Sequence, residues 1–272
     1  MINFILSECL SEDKTEEYKR AIEKIGAKCT SLKYAPFETL DLYSLFPKDS
    51  CVVTFGTLNL VRDILKKTNW VPGAWCNFEN FKCSTYYAYW HKFLWNTDSE
   101  FLTWGQIKDD PDLRGVAFFV RPDDGFKSFT GQLIKGDYDL RHIDSLVKPH
   151  TLCIVSKPHQ PRHEYRVFCR GKNIITGSQY RSWGKLDPSR QDTESGLLLD
   201  VESYAWKVLS EVKWIPEELF VMDIGDGSDG SMGVIELNSF SCSGVYECNI
   251  EKIVKAAAEV AEEEWKDIYG EI

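Results

Sequence analysis

The sequence predicts an α/β protein, with a small parallel α/β unit over residues 1–78 followed by an α+β domain over residues 79–272. Three observations predict it. Near-continuous apolar strands alternate with helical stretches from Met1 to Asn77. The rest of the chain carries short strands separated by connectors rich in proline and glycine. Between Leu219 and Gly244, two apolar runs flank a turn made of Gly, Asp and Ser, which reads as a β-hairpin.

In the first unit, Ile2 to Leu6 reads as a strand, and Ser11 as the N-cap of a helix over Asp13 to Ile25 that stops at Gly26. Strands follow at Lys28 to Leu32 and Cys51 to Phe55, then a helix from Leu58 to Lys67. There is no G-x-G-x-x-G, so nothing in this unit points to a dinucleotide. From Glu79 to Asn96 runs an aromatic-rich stretch that reads as helical toward its end, leading to a strand at Phe101 to Trp104. Lys92 sits there among apolar neighbours, a position usually held by a lysine that snorkels to the surface.

Val116 to Val120 reads as a buried strand ending at Arg121 and Pro122, with a loop to Gly131 and a second strand near Gln132 to Ile134. Arg121 and Lys127 stand at the edges of that loop, and its amides, Ser128 among them, suit a flap over polyphosphate oxygens. On its own the pattern is weak, since any hairpin carries Gly and Lys, and it is not a Walker sequence. A helix near Leu140 to Val147 leads to a strand at Leu152 to Val155, then a proline-broken connector and a strand at Tyr165 to Cys169. This connector reads as a hinge whose backbone groups at Val155, Ser156 and Lys157 are free for an adenine ring, with Glu164 placed for ribose hydroxyls. The alternative for Glu164 is an ion pair with Arg162 or Arg166. Strands at Asn173 to Thr176 and Ser178 to Arg181 would aim Arg181 at the same cleft, and helices over Leu197 to Val212 and Ile250 to Ile268 complete the chain.

In the hairpin, Glu236 and Asn238 are two apart and so face one side of a strand; closure over Asp226 to Gly230 brings Asp223 beside them. Three oxygen-bearing side chains among apolar neighbours, with room for water and phosphate, suit Mg²⁺. The alternative is a solvent-facing edge strand with Asp223 as turn chemistry.

Composition sets the outer limits. With 272 residues, 43% hydrophobic, and 9 Trp, 12 Tyr and 15 Phe, the chain can fill one large core or two modest ones. A net charge of −10, from 42 acids against 32 bases, argues against a broad hold on nucleic acid or anionic lipid, while leaving room for a local basic pocket. The 9 cysteines show no C-x-x-C pair and read as free thiols in a reducing compartment. No apolar run approaches a membrane span, and MINFILSECLSEDK is too short and too acidic for a secretory signal, so no membrane partner and a cytoplasmic location are expected.

A helix lysine, a strand-end cation, a glycine-containing flap, a hinge with an acid, and a carboxylate hairpin follow one another in an order that resembles the ATP-grasp superfamily over about Lys92 to Gly244. More closely the pattern resembles D-alanine–D-alanine-ligase-like enzymes and a phage-associated ATP-grasp clade described by two arginines and a lysine. The specific part is an Asp followed thirteen residues later by Glu-x-Asn, matched by Asp223, Glu236 and Asn238. The resemblance implies two α+β subdomains clasping ATP, with a nucleotide flap at 116–135, a hinge at 152–164 and a metal hairpin at 219–244. It further implies Mg²⁺ on Asp223, Glu236 and Asn238, and nucleotide contacts from Lys92, Arg121, Lys127, Ser128, Glu164 and the 155–157 backbone.

Two departures from the family pattern stand out. Arg121 replaces the usual strand lysine, and Val221 occupies the place of an arginine two residues before the first metal acid, so Arg166 or Arg181 is the candidate for the transition-state cation. The activity implied is an ADP-forming ligase joining a small-molecule or peptide carboxylate to an amine through an acylphosphate, with Arg181, Arg166 and Lys127 closest to the chemistry. The competing readings are a phosphotransferase with the same hairpin and a non-catalytic nucleotide-binding protein, the latter favoured by Val221.

Overall fold

The computed structural model describes residues 1–7, 12–34 and 41–270; the expected cap at Ser11 lies outside them. The first sheet is parallel throughout, in the order β2-β1-β3-β4, built from β1 (Ile2–Ser7), β2 (Lys28–Leu32), β3 (Cys51–Phe55) and β4 (Val71–Gly73). Its helices are α1 (Glu12–Lys24) and α2 (Leu58–Lys67). Gly26, at φ 72°, ends the first of these, because its amide must turn back to the Glu23 carbonyl (2.9 Å) in the left-handed conformation glycine adopts freely. Thr57 caps the second by accepting from the Leu60 amide at 3.3 Å.

A second sheet, order β5-β8-β6-β7, is antiparallel and comprises β5 (Glu100–Thr103), β6 (Phe118–Pro122), β7 (Gln132–Ile134) and β8 (Leu152–Ser156). It is preceded by α3 (Cys83–Trp90) and covered by α4 (Trp104–Asp109) and α5 (Asp137–Asp144), with Trp104, Phe118, Val120 and Ile143 in a core of their own. The aromatic stretch is therefore helical in its middle, and only one 3-10 turn, His91–Phe93, follows.

The third sheet runs β11-β10-β9-β12-β13 and is antiparallel: β9 (His163–Arg170), β10 (Asn173–Ser182), β11 (Lys185–Ser189), β12 (Leu219–Asp226) and β13 (Met232–Ser239). The sequence breaks β10 at Gly177, yet the strand continues through it. A Cβ at Gly177 would stand 2.7 Å from Leu197 and 2.9 Å from the Arg166 carbonyl, so glycine is there to let the 195–197 segment cross the sheet. The Gly177 amide is satisfied by the Ser195 carbonyl at 2.7 Å.

One face of this sheet, with Val167, Phe220, Met222, Ile224 and Leu237, packs on α6 (Leu199–Glu211) and α3. The other carries Phe168, Val221 and Phe240 into a core shared with Phe4, Phe55 and α7 (Ile250–Tyr269). The apolar core is thus continuous across residue 78, and the last helix fills the space between the parallel sheet and the hairpin. Among the described residues no helix is long and apolar enough to cross a membrane, and the eight described cysteines are all free.

Candidate functional site

Register places the polar face of the hairpin. Asp223 pairs directly with Glu236 on one side and with Arg166 on the other, and Arg166 with Ser178, so these four side chains form one row across the sheet. Between Asp223 and Ile224 the pairing slips, because Ile224 meets Val234 and leaves Ile235 as an extra residue. This bulge keeps Val234 and Leu237 in the core while aiming Glu236 outward, and it frees the Ile235 carbonyl to accept from Arg121 at 3.5 Å.

The row is dense in charge. Arg166 grips Asp223 with two donors, Nε to Oδ1 at 2.9 Å and Nη2 to Oδ2 at 2.7 Å, and its Nη1 donates to the Gly244 carbonyl at 3.0 Å. Its guanidinium also lies 5.3 Å from the Tyr180 ring centre and 5.1 Å from that of Tyr246, two rings stacked at 4.9 Å. The Asn238 amide donates to Asp223 Oδ2 at 3.0 Å. Arg121, at the end of β6, donates to Glu236 Oε2 at 2.8 Å, and Lys127 Nζ lies 3.3 Å from the same oxygen and 2.5 Å from Asn238 Oδ1. Burial alone would raise the Glu236 carboxyl, but Lys127 and Arg121 outweigh it and hold the group well below the usual carboxylate range. At Asp223 the balance is reversed: complete burial raises the carboxyl, and the Arg166 fork counters without cancelling.

Arg121, Lys127, Glu164, Arg166, Arg181 and Glu236 all line one cavity of about 290 Å³, whose other walls include the rings of Trp95, Phe119 and Phe129. Asn238 opens instead on a smaller neighbouring space shared with Arg121 and Lys127, and Asp223 lies wholly covered beneath. Glu164 accepts from the Tyr180 hydroxyl at 2.6 Å and stands 3.9 Å from Arg181, rather than pairing with Arg162 or Arg166; burial raises its carboxyl.

Three expected contributors lie elsewhere. Lys92 turns away to Glu211 (2.7 Å) with its side chain 63% exposed, because the 3-10 turn that carries it points it off the cleft. Val155 and Ser156 are not free at the backbone, since β8 is an inner strand with β5 on one side and β6 on the other, and the Lys157 amide donates to Asp98 at 3.3 Å. The Ser128 hydroxyl and amide both close on Asp124 within the loop, at 2.5 Å and 3.1 Å. Conversely, the sequence reading passes over Tyr180, Tyr246 and Trp95. Alternation would put Tyr180 and Arg181 on opposite faces, but a register shift between Gln179 and Arg181 makes Tyr180 the extra residue, and both reach the cavity.

Two carboxylates and an amide oxygen on adjacent strands are hard donors of the kind that hold Mg²⁺, and a lysine ammonium already stands against two of the three. The set fits a cation. Among the described residues no group of three or more His, Cys, Asp or Glu side chains offers another.

This arrangement of sheets is the ATP-grasp fold. The chain is similar to the D-cycloserine synthetase DcsG, at 15% identity with a TM-score of 0.64, over 96% of this chain and 100% of that one. It is also similar to the D-alanine–D-alanine ligase of Bacillus anthracis, at 13% identity with a TM-score of 0.57, over 98% of each. A third likeness is to the N5-carboxyaminoimidazole synthetase of Staphylococcus aureus, at 13% identity with a TM-score of 0.53, over 90% of this chain and 71% of that one. Residues 99–256, more than half of the chain, match the ATP-grasp domain of the second family in the clade described by two arginines and a lysine, and the chain belongs to that family. None of the curated proteins matches it.

Proposed function

We propose that this chain is an ATP-dependent, ADP-forming ligase that joins a small-molecule or peptide carboxylate to an amine. The observation that carries the reading is the row Arg166, Asp223, Glu236 facing Arg121 and Lys127, with four cations lining a single cavity in a chain of net charge −10. Family membership supplies the nucleotide, and the names of the similar structures, ligases and synthetases, give the reaction class.

Phosphoryl transfer asks for positioning and charge neutralisation more than for a nucleophilic side chain. Arg121, reaching in from the flap sheet, is set for the α- and β-phosphates, and Lys127 with the loop amides for the γ-phosphate. Arg181 and Arg166 are set to hold the acylphosphate while the amine attacks, and Glu164 is placed for ribose hydroxyls. Bound Mg²⁺ would be held by Asp223, Glu236 and Asn238 and would neutralise charge on the phosphate oxygens. Val221 lacks the arginine that ligases of this type carry, and Arg166, directly across the sheet from Asp223, delivers a cation to the same row from the neighbouring strand. A cytoplasmic location suits a consumer of ATP.

The test is an ADP-release assay with ATP, Mg²⁺ and a pool of carboxylates, run with and without hydroxylamine. A hydroxamate is the expected product. ADP release with a phosphorylated hydroxyl acceptor and no hydroxamate would make the protein a phosphotransferase. ATP binding without turnover on any acceptor would make it a non-catalytic binder.

A further inference from the structure

The loop from Asp123 to Gly131 is anchored at three points. A Cβ at Gly125 would collide with the Phe78 carbonyl, so the loop backbone lies directly on residue 78. The Phe126 ring sits 5.8 Å from that of Phe78 and under the Arg62 guanidinium at 4.7 Å. Asp124 takes up the Ser128 amide and hydroxyl. At the apex Lys127 has φ 56°, a left-handed conformation that costs a side-chain-bearing residue energy, and spends it on sending Nζ to Asn238 Oδ1 at 2.5 Å and to the Glu236 oxygens at 3.3 and 3.4 Å.

Resting on the ligase reading above, we propose that the Lys127 ammonium holds the place of a divalent cation on Glu236 and Asn238, so that metal binding must expel it. A metal ion and an ammonium want the same oxygens, and at the ~2.1 Å ligand distances of Mg²⁺ the two cannot share them. Expelled, the ammonium enters the adjoining cavity, where phosphate oxygens are the natural replacement for the carboxylate it has lost. Metal and triphosphate therefore help each other: the metal releases Lys127 for the phosphates, and the phosphates hold it off the metal ligands. Without nucleotide, the hairpin keeps its own lysine in preference to a free metal ion.

The experiment measures Mn²⁺ affinity by electron paramagnetic resonance for the wild type, Lys127→Met and Lys127→Arg, each with and without a non-hydrolysable ATP analogue. Lys127→Met is expected to bind Mn²⁺ without nucleotide about 10-fold more tightly than the wild type, and the tightening that the analogue brings to the wild type shrinks in that variant. Lys127→Arg keeps the charge and falls between them. Lys135→Met, which removes an exposed charge beyond the flap, leaves Mn²⁺ affinity unchanged. Equal affinity in the wild type and Lys127→Met, or the same gain from Lys135→Met, would overturn the proposal while the ligand set stands, provided Glu236→Gln weakens Mn²⁺ in every background. No Mn²⁺ binding to any variant, even with the analogue, would overturn the ligase reading as well.

Discussion

Asp223 and Asp226 lie three residues apart on β12, both nearly inaccessible and both held by an arginine, yet they do different things. Asp226 is closed on every side. Arg162 Nη2 donates to it at 2.7 Å, the His163 amide at 2.7 Å, and the His163 ring stands 3.2 Å away, while the Arg162 amide takes the Asp226 carbonyl at 2.7 Å. That cluster pins the open end of the hairpin to the start of β9 and leads to no cavity residue. Around Asp223 the charges continue, through Glu236 to Arg121 and Lys127, and Arg166 and Arg181 join them on the cavity wall. Cations exceed carboxylates there. An acid–arginine pair on its own is therefore a structural device, and what marks a ligand site is a surplus of one sign facing a cavity. The carboxyl shifts do not separate the two regions, since Asp226 and Glu236 are both lowered.

The largest effect that sharpens this contrast is expected from Glu236→Gln. The amide keeps the shape and removes the charge that two cations converge on, so ADP release should fall by roughly 10³-fold while the melting temperature stays close to that of the wild type. Unchanged turnover would break the comparison on its functional side, because Glu236 would then be as structural as Asp226.

Asp226→Ala is the reverse case. It should leave nucleotide affinity unchanged and lower the melting temperature by roughly 3–8 °C, because it strips acceptors from the His163 amide and from Arg162, whose side chain is 43% exposed and regains water in part. Burial would raise the Asp226 carboxyl, but Arg162 and His163 overcome this and lower it, so its stabilising contribution is complete above the ordinary aspartate value of about 3.9. It is lost as pH falls through the lowered folded value. The gap in melting temperature between wild type and variant is thus full at neutral pH and closes in acid. A gap that widened in acid would reverse the assignment.

The contrast between the two acids was only half legible in the sequence. The spacing of Asp223, Glu236 and Asn238 fixes which side chains share a face, and the strand-end position of Arg121 before a glycine-containing loop fixes its approach. Those inferences need only alternation and chain order. Bulges defeat alternation, and both occur at the site: Ile235 and Tyr180 are extra residues whose existence depends on what their partner strands present. The reading of Val155 to Lys157 as free backbone fails for a related reason. A short apolar run followed by prolines fits an edge strand as well as an inner one, and which it is depends on β5 and β6, far away in sequence. The stacked Tyr180 and Tyr246 around Arg166 come from a strand and a loop 66 residues apart, with no shared pattern to announce them.

Lys92 is where order along the chain and direction in space part company, and it carries the smallest expected effect. A lysine ahead of the flap matches the family's arrangement, but here its ammonium faces Glu211 at 2.7 Å and packs 4.6 Å from the Phe93 ring, with both charged groups open to solvent. Such pairs contribute little, because water and salt screen them and two flexible side chains must be held still. Lys92→Ala is accordingly expected to change neither ATP affinity, measured by calorimetry, nor the melting temperature beyond experimental scatter. A clear loss of ATP affinity would mean that the His91–Phe93 turn reorients to bring this cation to the cleft, and the line drawn between pairs that face a cavity and pairs that face water would no longer predict which charges bind the nucleotide.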